Sequence, residues 1–418
     1  DVYKRQIYVC GVGMTPFGRY PEKSVKDLTR ESVTAALDDA GCSIPDVQAA
    51  YFTSSTNSYL QGQSFVPGQI ALRSMGFEGI PMYNVENACA SGSSAFSLAC
   101  QSLRAGDHDV VLAVGAEKMF VEDKARMFGV FDGGWDVETA DRNRDRLLAL
   151  GSGVEVPEGS TSPKPYSVFM DVYAAFARQH MRTFGTTQEQ FAAVSAKNHQ
   201  HSVHNVHAQF RDAYTVEEIL SAPPITFPLT LPMCSPISDG GAAAVLCSEE
   251  GLRQLGNDPK RAIRVLATVV QTGINRDSDD YRNHLTAVAA RALYEKTGVG
   301  PADVDVAEVH DATAVGEILQ AENLQLADFG EAGPAAQRGD FTIGGRVPIN
   351  PSGGLESRGH PIGATGLAQI HELVTQLRGE AGPRQVEGAR IAVQENGGGL
   401  YGCEEAVAVL SMLTNQSA

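Results

Sequence analysis

Two segments far apart in the chain share one layout, and this repetition constrains the fold more than any other feature of the sequence. The first, Cys89-Ala90-Ser91-Gly92, follows a strand-like run over 81–85 and leads into a helix-like run over 95–103. The second, His360-Pro361-Ile362-Gly363, leads into a helix-like run over 367–377. Small residues allow a tight turn ahead of each apolar helix. The layout indicates a duplicated unit that carries cysteine in one copy and histidine in the other.

A second pair of segments supports the duplication. Residues 36–47 resemble 292–304, since each pairs a helix end with a glycine and an Asp-Val strand start. Apolar runs over 7–12 and 263–270 open the two halves. Two similar α/β units are therefore predicted. If they pack about a pseudo-twofold axis, Cys89 and His360 meet, and such a pair is a recurrent way to activate a thiol.

Cys89 is the predicted nucleophile. A thiol at a helix N-terminus faces unpaired N–H groups and the positive end of the helix dipole, and both favour the thiolate. The alternative interpretation is a buried structural cysteine, which is the commonest state of an intracellular thiol.

Four motifs occur in order along the chain: Cys89-Ala90-Ser91, His310-Asp311-Ala312-Thr313, Gly359-His360-Pro361 and Asn396-Gly397-Gly398-Gly399. A fifth stretch, 234–244, resembles the segment that leads into the last strand of the first half in proteins of a known family. With these motifs the chain resembles, nearly end to end, thiolases of the sterol-carrier-protein type. The resemblance implies an α/β fold, the duplicated five-layered αβαβα arrangement with an inserted loop domain.

The same resemblance divides the chain into three parts. An N-terminal half over 1–116 is completed by 232–255, a loop domain spans 117–231, and a C-terminal half spans 256–418. The loop domain is expected to cover the active site and contact coenzyme A. Insertions on a rigid scaffold usually carry specificity, so substrate selection is expected there.

The resemblance further implies an enzyme that cleaves or forms a 3-oxoacyl-CoA. Cys89 would become acylated, and His360 would take its proton. An enolate oxygen would lie between His310 and His360, and the thioester oxygen would be held by the N–H groups of Cys89 and Gly397. Substrate or oxyanion binding is also assigned to Gly398 and Ser352. Preorganised donors suit developing negative charge.

The chain departs from the family pattern at the second reactive cysteine. The two positions where thiolases carry that thiol read Glu395 and Ala312. Glu395 is the predicted substitute, because an apolar, glycine-lined surrounding raises a carboxyl pKa toward that of a general base. The alternative is a Glu395 that faces solvent or forms a surface ion pair. Cys403 is predicted to lie in the core, within an apolar strand.

Asp311 adjoins His310 and could orient it, but adjacent residues on a strand point to opposite faces. A turn or cap at the start of a helix over 314–324 is the preferred interpretation of Asp311.

Composition limits the binding partners. The chain has 33 basic and 50 acidic residues, a net charge of −17, which argues against nucleic acid and anionic membrane surfaces. The phosphates of coenzyme A then need local basic residues, and the candidates are Lys197, Arg211, Arg276, Arg346 and Arg358. The seven cysteines show no paired spacing, which predicts a reducing compartment without disulfides. No signal-like or membrane-spanning run is evident, so a cytoplasmic enzyme is expected.

Four of the ten histidines lie between 199 and 207. Such a cluster suggests a metal site, but the segment contains no cysteine or carboxylate to complete a ligand set. No metal is predicted.

Three functions remain open. The first is a thiolase with coenzyme A as co-substrate and no tightly bound cofactor. The second is a thiolase-like retro-aldol lyase acting on a β-hydroxyacyl-CoA, and the third is a non-catalytic acyl-CoA- or lipid-binding subunit. Retention of Cys89, His310 and His360 favours the first. A homodimer is predicted, and the resemblance extends to thiolases that work with a small zinc-ribbon/OB-fold subunit.

Overall fold

The computed structural model describes residues 5–256 and 258–416. The strands are β1 (Ile7–Met14), β2 (Ala49–Thr53), β3 (Met82–Val85), β4 (Val110–Glu117), β5 (Pro224–Thr226), β6 (Leu229–Thr230), β7 (Gly240–Ser248), β8 (Ile263–Thr272), β9 (Val306–Glu308), β10 (Ile391–Gly398) and β11 (Val407–Thr414). The helices are α1 (Val25–Ala40), α2 (Asn57–Gln61), α3 (Pro67–Arg73), α4 (Ser91–Ala105), α5 (Lys124–Gly129), α6 (Ala140–Ala149), α7 (Val168–Phe184), α8 (Gln188–Ser202), α9 (Val216–Ser221), α10 (Glu249–Leu255), α11 (Leu285–Thr297), α12 (Ala314–Asn323), α13 (Ala332–Arg338), α14 (Gly354–Arg358) and α15 (Thr365–Leu377).

The strand order displays the duplication. Nine strands form one sheet in the order β3-β2-β4-β7-β1-β8-β11-β10-β9. Read outward from the centre, β1-β7-β4-β2 in one half corresponds to β8-β11-β10-β9 in the other, with matching parallel and antiparallel pairings. A parallel bridge between Ala307 and Ile349 takes the place that β3 has beside β2. The halves join where Tyr8 pairs with Arg264 and Val9 with Ile263, so the predicted units share one continuous sheet.

The buried apolar residues form layers on both sides of this sheet. One cluster combines α4 and α15 with strand residues from both halves, which places these two helices in the middle of the molecule. A second cluster packs α1 and α3 against the outer face of the N-terminal strands. A third packs α11 and α12 against the C-terminal strands. The two halves of the sheet thus share the layer of α4 and α15, and each half carries its own outer helices. The predicted α/β fold class is confirmed.

The segment between β4 and β7 contributes to the third cluster. Ser167 caps the N-terminus of helix α7, and Gly185, in the left-handed conformation, ends it. Phe191 and Val194 of α8 are fully buried in the same cluster. This segment therefore covers one face of the C-terminal half. The exact division of the chain at 116, 231 and 255 stays a prediction.

Two predictions about cysteines are wrong. Cys10 and Cys247 lie on neighbouring antiparallel strands, β1 and β7, beside a bulge after Val9, and they form a disulfide where none was expected. Cys403 is buried, but it lies in the turn before β11 rather than within a strand. The preceding Gly402 has a φ of +74°, which reverses the chain at this point.

Among the helices between residues 5 and 416 that the structure describes, none combines the length and apolar character needed to cross a bilayer.

Candidate active site

Cys89 lies in a short turn, Ala88–Ala90, between β3 and α4. Ala88 adopts a left-handed φ of +49°, which directs the chain from the strand into the helix. Two serines fix the turn: Ser91 Oγ accepts the N–H of Asn87 at 2.8 Å, and Ser55 Oγ donates to the carbonyl of Ala88 at 3.1 Å. The nucleophile predicted from sequence is therefore held by the first residue of the helix that follows it.

The electrostatics of Cys89 differ from the expectation. Burial raises the pKa of its thiol to about 12, and the carboxylates of Glu117 and Glu86 add to the effect. Exclusion of water raises the thiol pKa by more than the helix N-terminus lowers it, because apolar neighbours such as Met119 and Ile362 cannot solvate a thiolate. Cys89 is therefore a thiol at rest, and the predicted nucleophilic role would require a neighbouring base.

Three predicted residues converge. Each pair among Cys89 Sγ, a ring nitrogen of His310 and a ring nitrogen of His360 lies within 4.8 Å. The two imidazole centroids are 5.3 Å apart, with the ring planes at 64°. The repeated glycines explain the convergence: a Cβ on Gly92 would lie 2.9 Å from the carbonyl oxygen of Gly363, so the two turns touch only because Gly92 has none.

The hydrogen bonds of His360 leave its Nε2 atom as an acceptor. Its backbone N–H donates to Ser238 Oγ at 3.0 Å, and its Nδ1 lies 2.7 Å from Thr365 Oγ1. The Thr365 hydroxyl donates its one proton to the carbonyl of Pro361 at 3.0 Å, so Nδ1 must carry the ring proton. Burial lowers the pKa of His360 well below its ordinary value, and nearby His310 adds to this. The ring is therefore neutral, with a free electron pair on Nε2.

His310 follows β9 and is buried. Its backbone N–H donates to Glu395 Oε2 at 2.9 Å. Neither ring nitrogen has a hydrogen-bond partner among the described residues. Burial lowers its pKa to about 4, against the opposing charge of Glu405. A neutral, unpartnered imidazole beside Cys89 is a donor prepared for a ligand oxygen, because buried polar groups are rarely left unsatisfied.

Glu395 is fully buried on β10, which removes the surface interpretation. Its Oε2 accepts the His310 N–H, and its Oε1 has no partner among the residues described. Burial raises the pKa of this carboxyl well above its ordinary range, and the charge of Glu405 adds to the effect. Glu395 thus favours its protonated form. Its position beside His310 supports a role in holding that residue, and its predicted role as acid/base stays a prediction.

The two glycines of β10 lie beside the nucleophile turn. A Cβ on Gly398 would come within 2.2 Å of the Asn87 carbonyl oxygen, so a side chain there would push the strand off the turn. A Cβ on Gly397 would be 3.0 Å from Glu405 Cγ. Both glycines are placed close to Cys89, and their roles in binding oxygen stay predictions.

Ser352 is directed elsewhere. It is fully buried, and its Oγ donates to Glu308 Oε2 at 2.8 Å. Ser352 Oγ also accepts a hydrogen bond from Arg358 at 3.0 Å. No Ser352 hydroxyl proton is left for a substrate. The geometry supports a structural role for Ser352 in place of the predicted substrate contact.

Asp311 also differs from its preferred interpretation. Its Oδ1 accepts the N–H of Leu355 at 2.8 Å, so it caps α14 rather than the start of α12. Its Oδ2 accepts from Asn198, whose Nδ2 also contacts Glu317 and Glu356, both at 3.0 Å. The turn between β9 and α12 faces the His360 segment, so Asp311 joins the segments carrying the two histidines.

Three of the five basic candidates for coenzyme A are unavailable. Lys197, Arg276 and Arg358 are buried and paired with Glu317, Glu404 and Glu308 respectively. Arg211 and Arg346 are exposed and remain candidates.

The clustered histidines have separate partners. His199 Nε2 lies 3.1 Å from the carbonyl of Pro232, His201 Nδ1 lies 3.0 Å from that of Asn350, and the rings of His207 and His371 meet edge to face. Within the described ranges, Cys89, His310 and His360 are the one set that could share an ion.

Sequence reasoning missed three residues around this site. Glu117 accepts hydrogen bonds from the segment 54–56 and from the N–H of Gly363. Glu405 shifts the pKa values of His310, Glu395 and Cys89 through its charge. Burial raises the pKa of Tyr173, and the nearby Glu405 and Glu395 raise it further. The sequence offered two signals: Glu117 ends the apolar strand 110–117, and the acid pair Glu404-Glu405 follows the glycine-rich stretch 396–402.

A cavity of about 790 Å³ adjoins the nucleophile turn. Its walls include Ala88, Gly398, Trp135, Tyr401 and Glu405. Space for a sizeable substrate group thus lies next to the converged residues.

Family models cover most of the chain. The model for the thiolase N-terminal domain matches residues 7–219, and the model for the thiolase C-terminal domain-like family matches residues 267–412.

Curated relatives match along almost the whole length. Rat sterol carrier protein 2 is 38% identical over 400 residues, which cover 94% of this chain and 69% of that protein. The acetyl-CoA acetyltransferase of Methanothermobacter thermautotrophicus is 37% identical, with 95% and 97% covered. The benzoylsuccinyl-CoA thiolase subunit BbsB of Thauera aromatica is 34% identical, with 96% of each chain covered.

Two solved structures share the fold. The Ltp2-ChsH2(DUF35) aldolase superimposes with a TM-score of 0.77 at 23% identity and covers 99% of this chain and 98% of that one. Human mitochondrial 3-ketoacyl-CoA thiolase in complex with CoA gives a TM-score of 0.68 at 18% identity, with the same coverage. Together with the converged cysteine and histidines, these matches establish that the chain belongs to the thiolase family.

Proposed function

We propose that this thiolase-family protein is an acyl-CoA C-acyltransferase that cleaves or forms a 3-oxoacyl-CoA through an acyl-enzyme on Cys89, with coenzyme A as co-substrate. The observation that carries the proposal is the placement of Cys89 Sγ within 4.8 Å of nitrogens of two neutral imidazoles. A thiol with a raised pKa needs a neighbouring base, and His360 offers a free electron pair.

In the cleavage direction, Cys89 Sγ attacks the 3-oxo carbon while His360 Nε2 takes the thiol proton. The bond between C2 and C3 then breaks, which leaves the acyl group on sulfur and releases an acetyl-CoA enolate. A proton on C2 completes acetyl-CoA. A second acid/base, which gave C2 its proton, takes the thiol proton of a further coenzyme A, whose sulfur attacks the acyl carbon. The bond between that carbon and the Cys89 sulfur breaks, and His360 returns its proton to Cys89.

The developing negative charge is met by the unpartnered ring of His310. An N–H donor aimed at an enolate or tetrahedral oxygen lowers the barrier by about 3 kcal/mol in comparable sites. The backbone N–H groups of Cys89 and Gly397 are the proposed donors to the thioester oxygen, with Gly398 shaping the same surface.

A retro-aldol lyase is the second candidate. It is favoured by one observation: among the described cysteines, none other than Cys89 joins the two histidines. Such a lyase forms no acyl-enzyme and gives Cys89 no role. A non-catalytic lipid-binding subunit, the third alternative, leaves all three converged residues without a purpose.

Replacement of Cys89 by serine separates these functions. We expect Cys89→Ser to abolish coenzyme-A-dependent cleavage of a 3-oxoacyl-CoA and the acyl adduct seen by intact-protein mass spectrometry. Persisting carbon–carbon cleavage of a β-hydroxyacyl-CoA would support the lyase, and full retention of thiolysis would refute the acyl-enzyme.

The assembly we propose is a cytoplasmic homodimer. Strand β3 ends the sheet, and the exposed Tyr83 and Phe65 beside it offer apolar surface to a second copy. A small zinc-ribbon/OB-fold subunit is a further proposed partner, supported by structural similarity to the Ltp2-ChsH2(DUF35) aldolase. Light scattering of the purified protein, with and without co-purifying chains, tests both.

A further inference from the structure

The proposed reaction needs a second acid/base to exchange a proton with C2. Among the described cysteines, none other than Cys89 lies with the two histidines; Cys403 lines the 790 Å³ cavity, but burial raises the pKa of its thiol. Cys234 Sγ contacts the carbonyl of Thr230 at 3.6 Å, Cys403 Sγ contacts that of Arg276 at 3.9 Å, and Cys100 is buried within α4. A carboxyl group is the remaining choice, and the site contains Glu395 and Glu405.

Glu405 lies against Gly397, the proposed donor to the thioester oxygen. Its Cγ is 3.0 Å and its Oε1 3.4 Å from the position that a Cβ on Gly397 would take. Gln320 Nε2 donates to Oε1 at 3.3 Å. The same side chain lines the 790 Å³ cavity. Glu405 therefore borders both the strand that flanks Cys89 and the space open to a substrate.

The two carboxyls differ in protonation. Glu395 favours its neutral form, and one of its oxygens is occupied by the His310 N–H. For Glu405, burial acts to raise the pKa, but its hydrogen bond and electrostatic attraction to His284 outweigh burial, so that the pKa is lowered. The titratable groups around Glu405 are His284, His310, Glu395, Cys89 and Tyr173, and His284 also lies 3.8 Å from Glu404. Glu405 is the ionised member of the pair.

His284 is oriented toward Glu405 by its own hydrogen bonds. Its Nδ1 accepts the N–H of Thr286 at 3.2 Å, so the ring proton of the neutral form lies on Nε2. That nitrogen is 3.4 Å from Glu405 Oε2. His284 and Glu405 both line a second cavity of about 30 Å³. His284 is therefore placed to exchange a proton with Glu405.

We propose that Glu405 is the acid/base for C2, with His284 as its positioning residue and proton partner. The inference rests on the proposed acyltransferase function. In condensation, Glu405 removes a proton from C2 of an acetyl thioester, and C2 attacks the acyl carbon on Cys89. The carbon–sulfur bond breaks, and His360 reprotonates the sulfur. In cleavage, Glu405, protonated by way of His284, gives that proton to C2.

Deuterium exchange at C2 of acetyl-CoA in D₂O tests the proposal, followed by NMR alongside the mass of the acetylated enzyme. We expect Glu405→Gln to slow exchange by about 100-fold or more while Cys89 is still acetylated. Glu405→Asp keeps a carboxylate and is expected to restore part of the exchange. Thermal unfolding of both variants checks that they are folded.

The outcomes are distinct. Exchange at the wild-type rate in Glu405→Gln, or exchange lost in Glu395→Gln and kept in Glu405→Gln, overturns the role of Glu405. Absence of acetylation in the wild-type protein instead overturns the acyltransferase, whereas exchange that depends on Glu405 would still stand.

The role of His284 has its own readout. His284→Asn keeps an oxygen that can cap α11 but removes the N–H aimed at Glu405. We expect the acidic limb of the exchange rate to move to higher pH by about one unit, because His284 holds the pKa of Glu405 down. An unmoved pH profile would remove His284 from the proposal.

Discussion

Glu117 Oε2 accepts the backbone N–H of Gly363 at 2.9 Å and so ties the last residue of β4 to the turn that follows His360. The same fully buried carboxylate accepts four hydrogen bonds from the segment 54–56. Every partner is a donor, which only a carboxylate can satisfy on both oxygens.

Glu117→Gln is therefore expected to reduce the free energy of unfolding by about 2–3 kcal/mol, because its NH₂ group would face donors. Acylation of Cys89 should slow as the His360 turn loosens. Chemical denaturation and acyl-adduct formation measure the two effects. Ser54→Ala, which removes one of the five donors, is the control and should cost about 1 kcal/mol. Equal losses in both variants would contradict the argument.

The thiol of Cys89 is predicted to react slowly near neutral pH. Its pKa is raised to about 12, so the thiolate fraction grows with pH across the accessible range. The rate of Cys89 alkylation by iodoacetamide, followed by peptide mass spectrometry, should climb from pH 7 to 10 without a plateau. A plateau below pH 8 would indicate a thiolate stabilised by the helix N-terminus after all.

Close approach of β10 to the nucleophile turn makes Gly398 sensitive to a methyl group. We expect Gly398→Ala to lower the free energy of unfolding by about 1–3 kcal/mol, because the new Cβ would meet the Asn87 carbonyl oxygen at 2.2 Å. Gly133→Ala is a matched control, since a Cβ there meets nothing within 4 Å. Urea unfolding of the two variants gives the comparison, and similar midpoints would count against the close packing.

The ion pair between Arg358 and Glu308 makes stability depend on pH. Both side chains are fully buried and 3.0 Å apart. Burial raises the pKa of Glu308 to about 7, although Arg358 opposes the shift. A raised carboxyl pKa gives stability that is present below the unfolded value of 4.5 and is lost as the pH rises through 7.

Arg358→Met should therefore cost about 3–5 kcal/mol at pH 8, where Glu308 is left charged and unpaired, and less at pH 5.5, where Glu308 is protonated. Urea unfolding at the two pH values tests this. Arg338→Met, which breaks an exposed pair with Asp340, should cost under about 1 kcal/mol at either pH. A pH-independent loss in Arg358→Met would refute the assignment.

The fold could be predicted because its signals are local and repeated. Small-residue turns before apolar helices recur at 89–92 and 360–363, and a repeated unit implies two matching sets of strands. The meeting of Cys89 and His360 followed from that symmetry, whereas the place of His310 came from the resemblance of its motif to that of thiolases.

The electrostatics of the site could not be predicted in the same way. A raised thiol pKa depends on how much water the surrounding cluster excludes, which spacing along the chain does not reveal. The environments of Glu117 and Glu405 depend on contacts with segments far away in the sequence, from 61 positions for Thr56 and Glu117 to 246 for Gly363 and Glu117. The disulfide between Cys10 and Cys247 was missed for the same reason, because their pairing is set by the register of β1 and β7.

Because the sulfur comes from one copy of the repeated unit and both imidazoles from the other, neither copy alone holds a complete set of reacting groups. The proposed chemistry would take place at the junction of the two copies, where β1 pairs with β8 and α4 packs against α15. A substitution that shifts the two copies relative to each other, even far from the substrate, would separate Cys89 from His360 while leaving each copy folded.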